Sequence, residues 1–353
     1  MFKKLLLIPL LIAIPVLAKA DLNDSPWDFN VYVFDDIGTD NNPYQSDFQG
    51  IAGTGQNAYF TGFSLNLLDS PMNTPFSLYS GGNVDWMNGT VSNGGIEFGG
   101  NLRLQNFTIN GNLSGGGNSV NQNGTINGNV TVGGSFQNNG GTTVNGTIQQ
   151  NQAFTPTFNH AQAEQTFTNA SQFWGGQSPT ANWVNQFGEI VVDPLQSGRN
   201  IVNLSLGDID SSWGLSIDGP ADAFVIFNID DTPPSNDDFF KALTLDFTGG
   251  LTMEDVLFNF TNAETLSLQG GTYANILAPN ADITFSSGAL QGILVAENLY
   301  GGGQVNLGTF SGFPEDYPNY ATPVPEPHQY LLLGGFLAIA LMVHKVRRSP
   351  ARS

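Results

Sequence analysis

Residues 99–134 read GGNLRLQNFTINGNLSGGGNSVNQNGTINGNVTVGG, and the stretch repeats itself. It belongs to a longer repeat, Gly81 to Ile148, in which Gly-Gly pairs stand at Gly81-Gly82, Gly99-Gly100, Gly116-Gly117 and Gly133-Gly134, at steps of 18, 17 and 17. A second marker recurs out of phase, as Asn110-Gly111-Asn112-Leu113, Asn127-Gly128-Asn129-Val130 and Asn145-Gly146-Thr147-Ile148, at steps of 17 and 18. Two turn markers per period leave two short segments between them. Segments such as Leu102-Arg103-Leu104, Phe107-Thr108-Ile109 and Val130-Thr131-Val132 alternate apolar with polar residues, as a strand with one buried face does. A short period without helical signal predicts a solenoid whose turns stack, because no single turn can bury its apolar residues alone. The fold expected is all-β, a parallel β-helix.

The physics of the period agrees. Strands stack roughly 4.8 Å apart, so each turn places like residue over like. Apolar side chains then form inward columns and Asn side chains form amide ladders, while Gly and Asn supply the corners. A Gly/Asn-rich flexible linker would share this composition, but it has no reason to keep its apolar residues in register.

The chain has 353 residues, 40% of them apolar, which is ample for a core, and it has no cysteine. Stability must therefore come from stacking rather than disulfides. All 30 acidic residues lie between Asp21 and Glu326, with only Arg103, Arg199 and Lys241 as bases among them; 3 minus 30 gives a formal charge of −27 for that span. Such a surface repels phosphate backbones, which argues against nucleic acid as a partner, and it keeps a sheet-rich protein soluble.

The ends carry their own signals. Met1-Phe2-Lys3-Lys4 is basic, Leu5 to Leu17 is apolar, and Ala18-Lys19-Ala20 is a small-x-small site before Asp21, so residues 1–20 read as a secretory signal peptide cleaved after Ala20. At the other end a linker, 316–329, contains Pro323-Val324-Pro325-Glu326-Pro327. An apolar run from Tyr330 to Val343 follows, then Lys345, Arg347, Arg348 and Arg352 within a segment 330–353. The run is short for a span, and the basic residues after it would hold the tail in the cytoplasm. This tail closely resembles the PEP-CTERM sorting signal of Gram-negative, exopolysaccharide-producing bacteria, with Val324-Pro325-Glu326-Pro327 as its motif. The resemblance implies transient inner-membrane anchoring through residues 330–343, an exosortase as processing partner, and delivery to the cell surface or extracellular matrix.

Between the ends, Phe29 to Phe34 reads as a strand in the first turn or its cap, covering an edge that would otherwise template stacking. Asp47 to Gly55 then enters the coil. Asn159 is placed to cap a helix over about 159–174 whose apolar face is Ala163, Phe167, Ala170 and Phe173 or Trp174, ended by Gly175-Gly176 and packed along the solenoid. Strands are expected at Ile190-Val191-Val192, Ile201 to Leu204 and Ala223 to Ile229, with a surface loop at Asp231 to Asp238. The step of 17 then returns: Phe260, Leu277 and Leu294 are expected to stack in the interior, and Leu266 over Ile283. Two blocks sharing one period predict one solenoid of about ten turns, roughly 50 Å long, over residues 21–315.

Ile276 to Ala281, Gly292 to Leu299, Gly303 to Asn306 and Phe310 resemble the C-terminal block of the choice-of-anchor A domain, and Asp47 to Gly55 resembles its N-terminal block. The resemblance implies a bacterial surface adhesin with a right-handed β-helix akin to ice-binding-type solenoids. It carries no binding residues over to this chain.

Little chemistry is on offer. His328 and His344 fall in the tail, which leaves His160, expected to be a solvated polar residue. Without Cys or a second His, neither a His-assisted nucleophile nor a His-rich metal site can be assembled. Asp208 and Asp210, two apart, would share one face of a strand; such oxygens could hold Ca²⁺, but the full calcium-loop pattern is missing and no cofactor is expected. Three functions are weighed. The leading one is an adhesin, not an enzyme, that binds exopolysaccharide or another surface through the solenoid faces. The second is an ice-binding solenoid, which needs regular Thr rows, whereas Thr90, Thr108, Thr125 and Thr147 step unevenly by 18, 17 and 22. A polysaccharide-active enzyme, the third, needs converging acids and usually a base.

Overall fold

The computed structural model describes residues 25–68, 74–231 and 239–312. The cleavage-site residues Ala18 and Ala20, most of the 231–238 loop, the motif Val324, Pro325, Glu326 and Pro327, and the apolar tail lie outside the described residues. Among those described, no helix is long and apolar enough to cross a membrane.

Each coil of the N-terminal block has three runs rather than two. Leu102–Ile109 is one hydrogen-bonded strand, but Asn106 within it has φ +52°, which folds the strand into two runs, and Leu113–Gly115 makes the third. Asn88 and Asn123 hold the same left-handed conformation in the neighbouring coils, at φ +58° and +53°. Asn tolerates this region better than other residues with a β-carbon, so a single Asn per coil makes the extra corner. Nothing in hydrophobic alternation marks it, which is why two segments per period were expected.

Amide ladders hold the corners. The backbone N–H groups of Asn83, Asn101, Asn118 and Ser135 donate to the Oδ1 atoms of Asn57, Asn83, Asn101 and Asn118, at 2.9, 2.8, 2.9 and 2.9 Å. A second ladder runs from Asn129 N–H to Asn112 Oδ1 (2.8 Å) and from Thr147 N–H to Asn129 Oδ1 (2.9 Å). The Asn-rich composition thus satisfies backbone donors that turn out of the sheets at each corner.

The interior is apolar and strongly aromatic. Phe48, Phe60, Phe63 and Trp86 are fully buried; the Phe60 and Phe63 rings stack at 4.3 Å, and Phe60 meets Trp86 at 4.9 Å. Burial of each such ring contributes about 1.5–3 kcal/mol. Toward the Ile148 end the core thins and the residues turn to Asn, Gln and Thr, so Phe136 and Val144 are only partly buried and Ile148 is exposed.

The coils are not stacked in sequence order. Val31–Val33 pairs in parallel with Ala52–Thr54 on one side and with Leu294, Val295 and Ala296 on the other. Phe48 likewise faces both Leu65 and Val305. The chain therefore starts in the middle of the rod, winds outward to Ile148–Gln149, returns, and winds inward from Gly198–Ser205 through Ala223–Asp230, Val256–Phe260 and Asn275–Phe285. The two blocks form one solenoid, although Ile201, Ile226, Leu257 and Asn275 stack at steps of 25, 31 and 18 and so share no common period with the first block. The N-terminal strand, expected to cap an end, is instead the junction between the blocks: Val31 and Val33 are fully buried, with a coil on either side. At the far end Thr180 and Ala181 donate their N–H groups to Ile201 O, and the Trp183–Gln186 and Glu189–Val192 hairpin starts a separate four-stranded sheet.

The proposed interior column of Phe260, Leu277 and Leu294 is not formed. Registration sets Phe258, Ile276 and Leu294 over one another, and Asn259, Leu277 and Val295 in the next column. The true step here is 18, and because side chains alternate between faces, a slip of one residue moves Leu277 from the core to the outer face. Leu266 does stack on Ile283.

Leu277 is nonetheless fully buried, because a helix covers that face. The helix α1, His160–Gly175, is capped by Asn159, whose Oδ1 accepts from Gln162 N–H at 3.2 Å, and it buries Ala163, Phe167, Ala170, Ser171 and Trp174. Its N-terminal half lies on an aromatic cluster in which Phe167 meets Trp27 at 4.7 Å and Tyr32 at 5.3 Å. Gly53, stacked beside Tyr32, leaves room for it: a β-carbon there would come within 2.7 Å of the Tyr32 ring. The C-terminal half is pinned by Asn228, whose Nδ2 donates to Trp174 O at 2.8 Å, and by Asn259.

Candidate binding face

The second run of each coil turns one side chain outward, and registration lines these up. Ser64 stacks on Thr90, Thr90 on Thr108, Thr108 on Thr125 and Thr125 on Thr143. Val91, Ile109 and Ile126 follow in the chain and point inward, fully buried, which fixes the threonines on the outside. The sequence reading placed Thr147 in this row; it stands at another corner, bonded to Asn129 Oδ1. Gly140-Gly141, both at positive φ, widen the intervening turn and bring Thr143 into register instead. With that replacement the steps become 18, 17 and 18, so the row is regular.

Amides flank the threonines on both sides. On one side Asn106 Nδ2 donates to Asn88 Oδ1 at 2.8 Å; on the other, Asn127 Nδ2 donates to Asn110 Oδ1 and Asn145 Nδ2 to Asn127 Oδ1, both at 2.7 Å. The threonine rank thus runs between two corner ladders of amides, with a spacing of about 4.8 Å between coils. No protein group among the described residues hydrogen-bonds the hydroxyls of Thr90, Thr108, Thr125 or Thr143. A regular array of this kind suits a repeating ligand surface, since its geometry is set on folding rather than on binding.

The residues singled out for chemistry are elsewhere and apart. Asp208 and Asp210 do not lie on a strand but in a short helix, Leu206–Asp210, where Asp208 in the first turn completes a capping box by accepting from Ser205 N–H at 2.8 Å and Ser205 Oγ at 2.7 Å. Among the described residues no three His, Asp or Glu groups are placed to hold a metal ion. His160 is not a solvated residue. It is wedged under the start of α1, with Nδ1 3.1 Å from the Tyr32 hydroxyl and its ring 4.9 Å from Phe158, and burial holds its pKa down at about 4. Burial likewise raises the carboxyl of Glu97, which accepts from Thr157 N–H at 3.0 Å and from its hydroxyl at 2.7 Å and so ties the strap before α1 to the coil. These groups fasten the helix to the solenoid.

The fold and the face together define a parallel β-solenoid with a regular outward rank of threonines beside amide ladders. The family described as "Putative Ice-binding-like adhesive domain" matches residues 26–307, and the chain belongs to that family. No curated protein sequence matches the chain. Among solved structures it is similar to an ice-binding protein from the Antarctic ascomycete Antarctomyces psychrotrophicus, at 15% identity over 56% of this chain and 91% of that one, with a TM-score of 0.21. It is similar also to an ice-binding protein from an Antarctic bacterium of the Flavobacteriaceae, at 14% identity over 80% and 82% of the two chains, TM-score 0.28. A possible adhesin C-terminal domain from Caldicellulosiruptor kronotskyensis aligns at 11% identity over 82% and 94%, TM-score 0.28.

Proposed function

We propose that this chain is an exported surface or matrix adhesin that engages a repetitive extended surface through the face carrying Thr90, Thr108, Thr125 and Thr143. The observation that carries this reading is the registered rank of hydroxyls flanked by amide ladders, on a scaffold whose described chemistry is structural. The signal peptide, the Val324–Pro327 motif and the apolar, then basic, tail support export and sorting by an exosortase, with the domain displayed on the cell or shed into its polysaccharide matrix. The acidic surface supports binding to neutral rather than phosphate-bearing material. Asp208 and Asp255 are taken up in helix caps and Glu97 in the strap before α1.

A second reading, ice binding, is favoured by one specific observation: with Thr143 in the row, the spacing that seemed irregular becomes regular. One experiment separates them. The Thr108→Leu/Thr125→Leu variant and the unaltered chain are compared for thermal hysteresis and for retention on abiotic surfaces. Retention lost in the variant, without hysteresis in either, supports adhesion; hysteresis lost in the variant supports ice. Full retention by the variant removes this face from the function.

A further inference from the structure

Around the Asn106 corner from the threonine rank, the first run of each coil turns different side chains outward. Registration stacks Tyr59, Asp85, Arg103, Val120 and Gln137 in one column. The corner ladder of Asn83, Asn101 and Asn118 stands two residues earlier in each coil. Together they line a shallow trough that runs along the solenoid axis across five coils, roughly 19 Å at about 4.8 Å per coil.

Arg103 is one of only three bases between Asp21 and Glu326, and it lies mid-trough. Its guanidinium pairs with Asp85 and approaches Asp40 at 3.9 Å, yet 57% of the side chain stays exposed. Asp85 Oδ1 is buried, and its Oδ2 is taken up by the guanidinium, so the exposed polar surface at this coil is that of Arg103. Asn83 Nδ2 donates to Asn57 Oδ1 at 3.0 Å and Asn118 Nδ2 to Asn101 Oδ1 at 3.2 Å, so each of these amides keeps a second N–H for other use. Tyr59 and Val120, both half-buried, supply apolar surface along the same column.

We infer that this trough binds a neutral polysaccharide chain lying along the solenoid axis. Vicinal ring hydroxyls call for polar groups at fixed separation, which the exposed Arg103 guanidinium and the amide ladder provide, while the C–H faces of the rings rest on Tyr59 and Val120. The repetition of the trough from coil to coil matches a polymer rather than a single small molecule. Charge selects the class: Asp85 and Asp40 already neutralise Arg103, and the acidic domain repels uronate or sulfated chains. The inference deepens the adhesive reading and rests on it, but it names a different face and a definite ligand chemistry.

Affinity electrophoresis of the full chain through gels containing hydroxyethyl cellulose or polygalacturonate tests it. Retardation is expected in the neutral polymer alone. Arg103→Gln and Tyr59→Ala should each weaken it about tenfold, as loss of one charge-assisted contact or one ring platform does. Thr108→Leu should leave it unchanged. Arg103 is exposed, so Arg103→Gln keeps the fold even if Tyr59→Ala does not. Retardation that survives Arg103→Gln, a preference for polygalacturonate, or no retardation in either gel would overturn the inference. Surface retention that still depends on Thr108 would, in each of those cases, leave the adhesive reading standing.

Discussion

Ser171 and Asn259, 88 residues apart in the chain, exchange two hydrogen bonds: the Ser171 hydroxyl donates to Asn259 Oδ1 at 2.7 Å, and Asn259 Nδ2 donates to Ser171 O at 3.0 Å. Asn259 also donates to Asn228 Oδ1 at 2.8 Å, so one fully buried amide joins α1 to two coils of the C-terminal block. The other half of α1 lies on Tyr32 and Trp27, which enter the rod before the N-terminal block winds away from them. The helix thus bridges the place where the two blocks meet.

Asn259→Leu should destabilise the domain by about 2–4 kcal/mol, since it strands the Ser171 hydroxyl and the Asn228 Oδ1 without partners. Urea unfolding monitored by tryptophan fluorescence would measure this. A loss below about 0.5 kcal/mol would show that the helix is held by its aromatic stripe alone.

The corner conformation makes a sharper demand on residue type than on polarity. Asn106→Val should cost about 1–2 kcal/mol, because a β-branched side chain resists φ +52°. Asn106→Gly should cost clearly less, the glycine being at ease in that region although the bond to Asn88 is lost. Equal losses in thermal melts of the two variants would contradict a backbone origin.

Trp86 fills the coil interior against Phe60 at 4.9 Å and Phe63 at 5.5 Å. Trp86→Ala should lose about 3–5 kcal/mol through the cavity it leaves. Trp86→Phe should recover most of that loss, as equilibrium unfolding can check.

His160 gives the fold a dependence on pH. Its folded pKa, about 4, lies below the ordinary value of 6.5, so between those two values the unfolded chain binds more protons. Stability from this residue is complete above the ordinary value and declines as pH falls toward 4. The carboxyls of buried Glu97 and of half-buried Glu164 and Glu297 are raised instead by desolvation and act in the opposite direction, gaining stability as pH falls. Subtracting the stability of His160→Gln from that of the unaltered chain isolates the histidine. The difference should fall as the medium is taken from neutrality to pH 4.5, and a flat difference would refute the assignment.

Much of this molecule was legible in its residues. A repeated turn chemistry and a period near 17 are local facts, so the Gly and Asn markers determined a parallel solenoid, and Asn159 with the Phe167 and Trp174 stripe determined one helix alongside it. Both follow from short-range sterics and from apolar periodicity, which need no knowledge of distant partners. Three other features were decided only by tertiary pairing. Which threonines form the rank turned on the width of the Gly140-Gly141 turn, and whether Leu277 faces the core or the helix turned on a step of 18 instead of 17. The order of the coils in space, with Val31–Val33 between Ala52–Thr54 and Leu294–Ala296, was decided by which edge each strand met. A parallel strand offers the same hydrogen-bonding edge to any coil of matching shape, so its own residues leave the neighbour open until both blocks have folded against it.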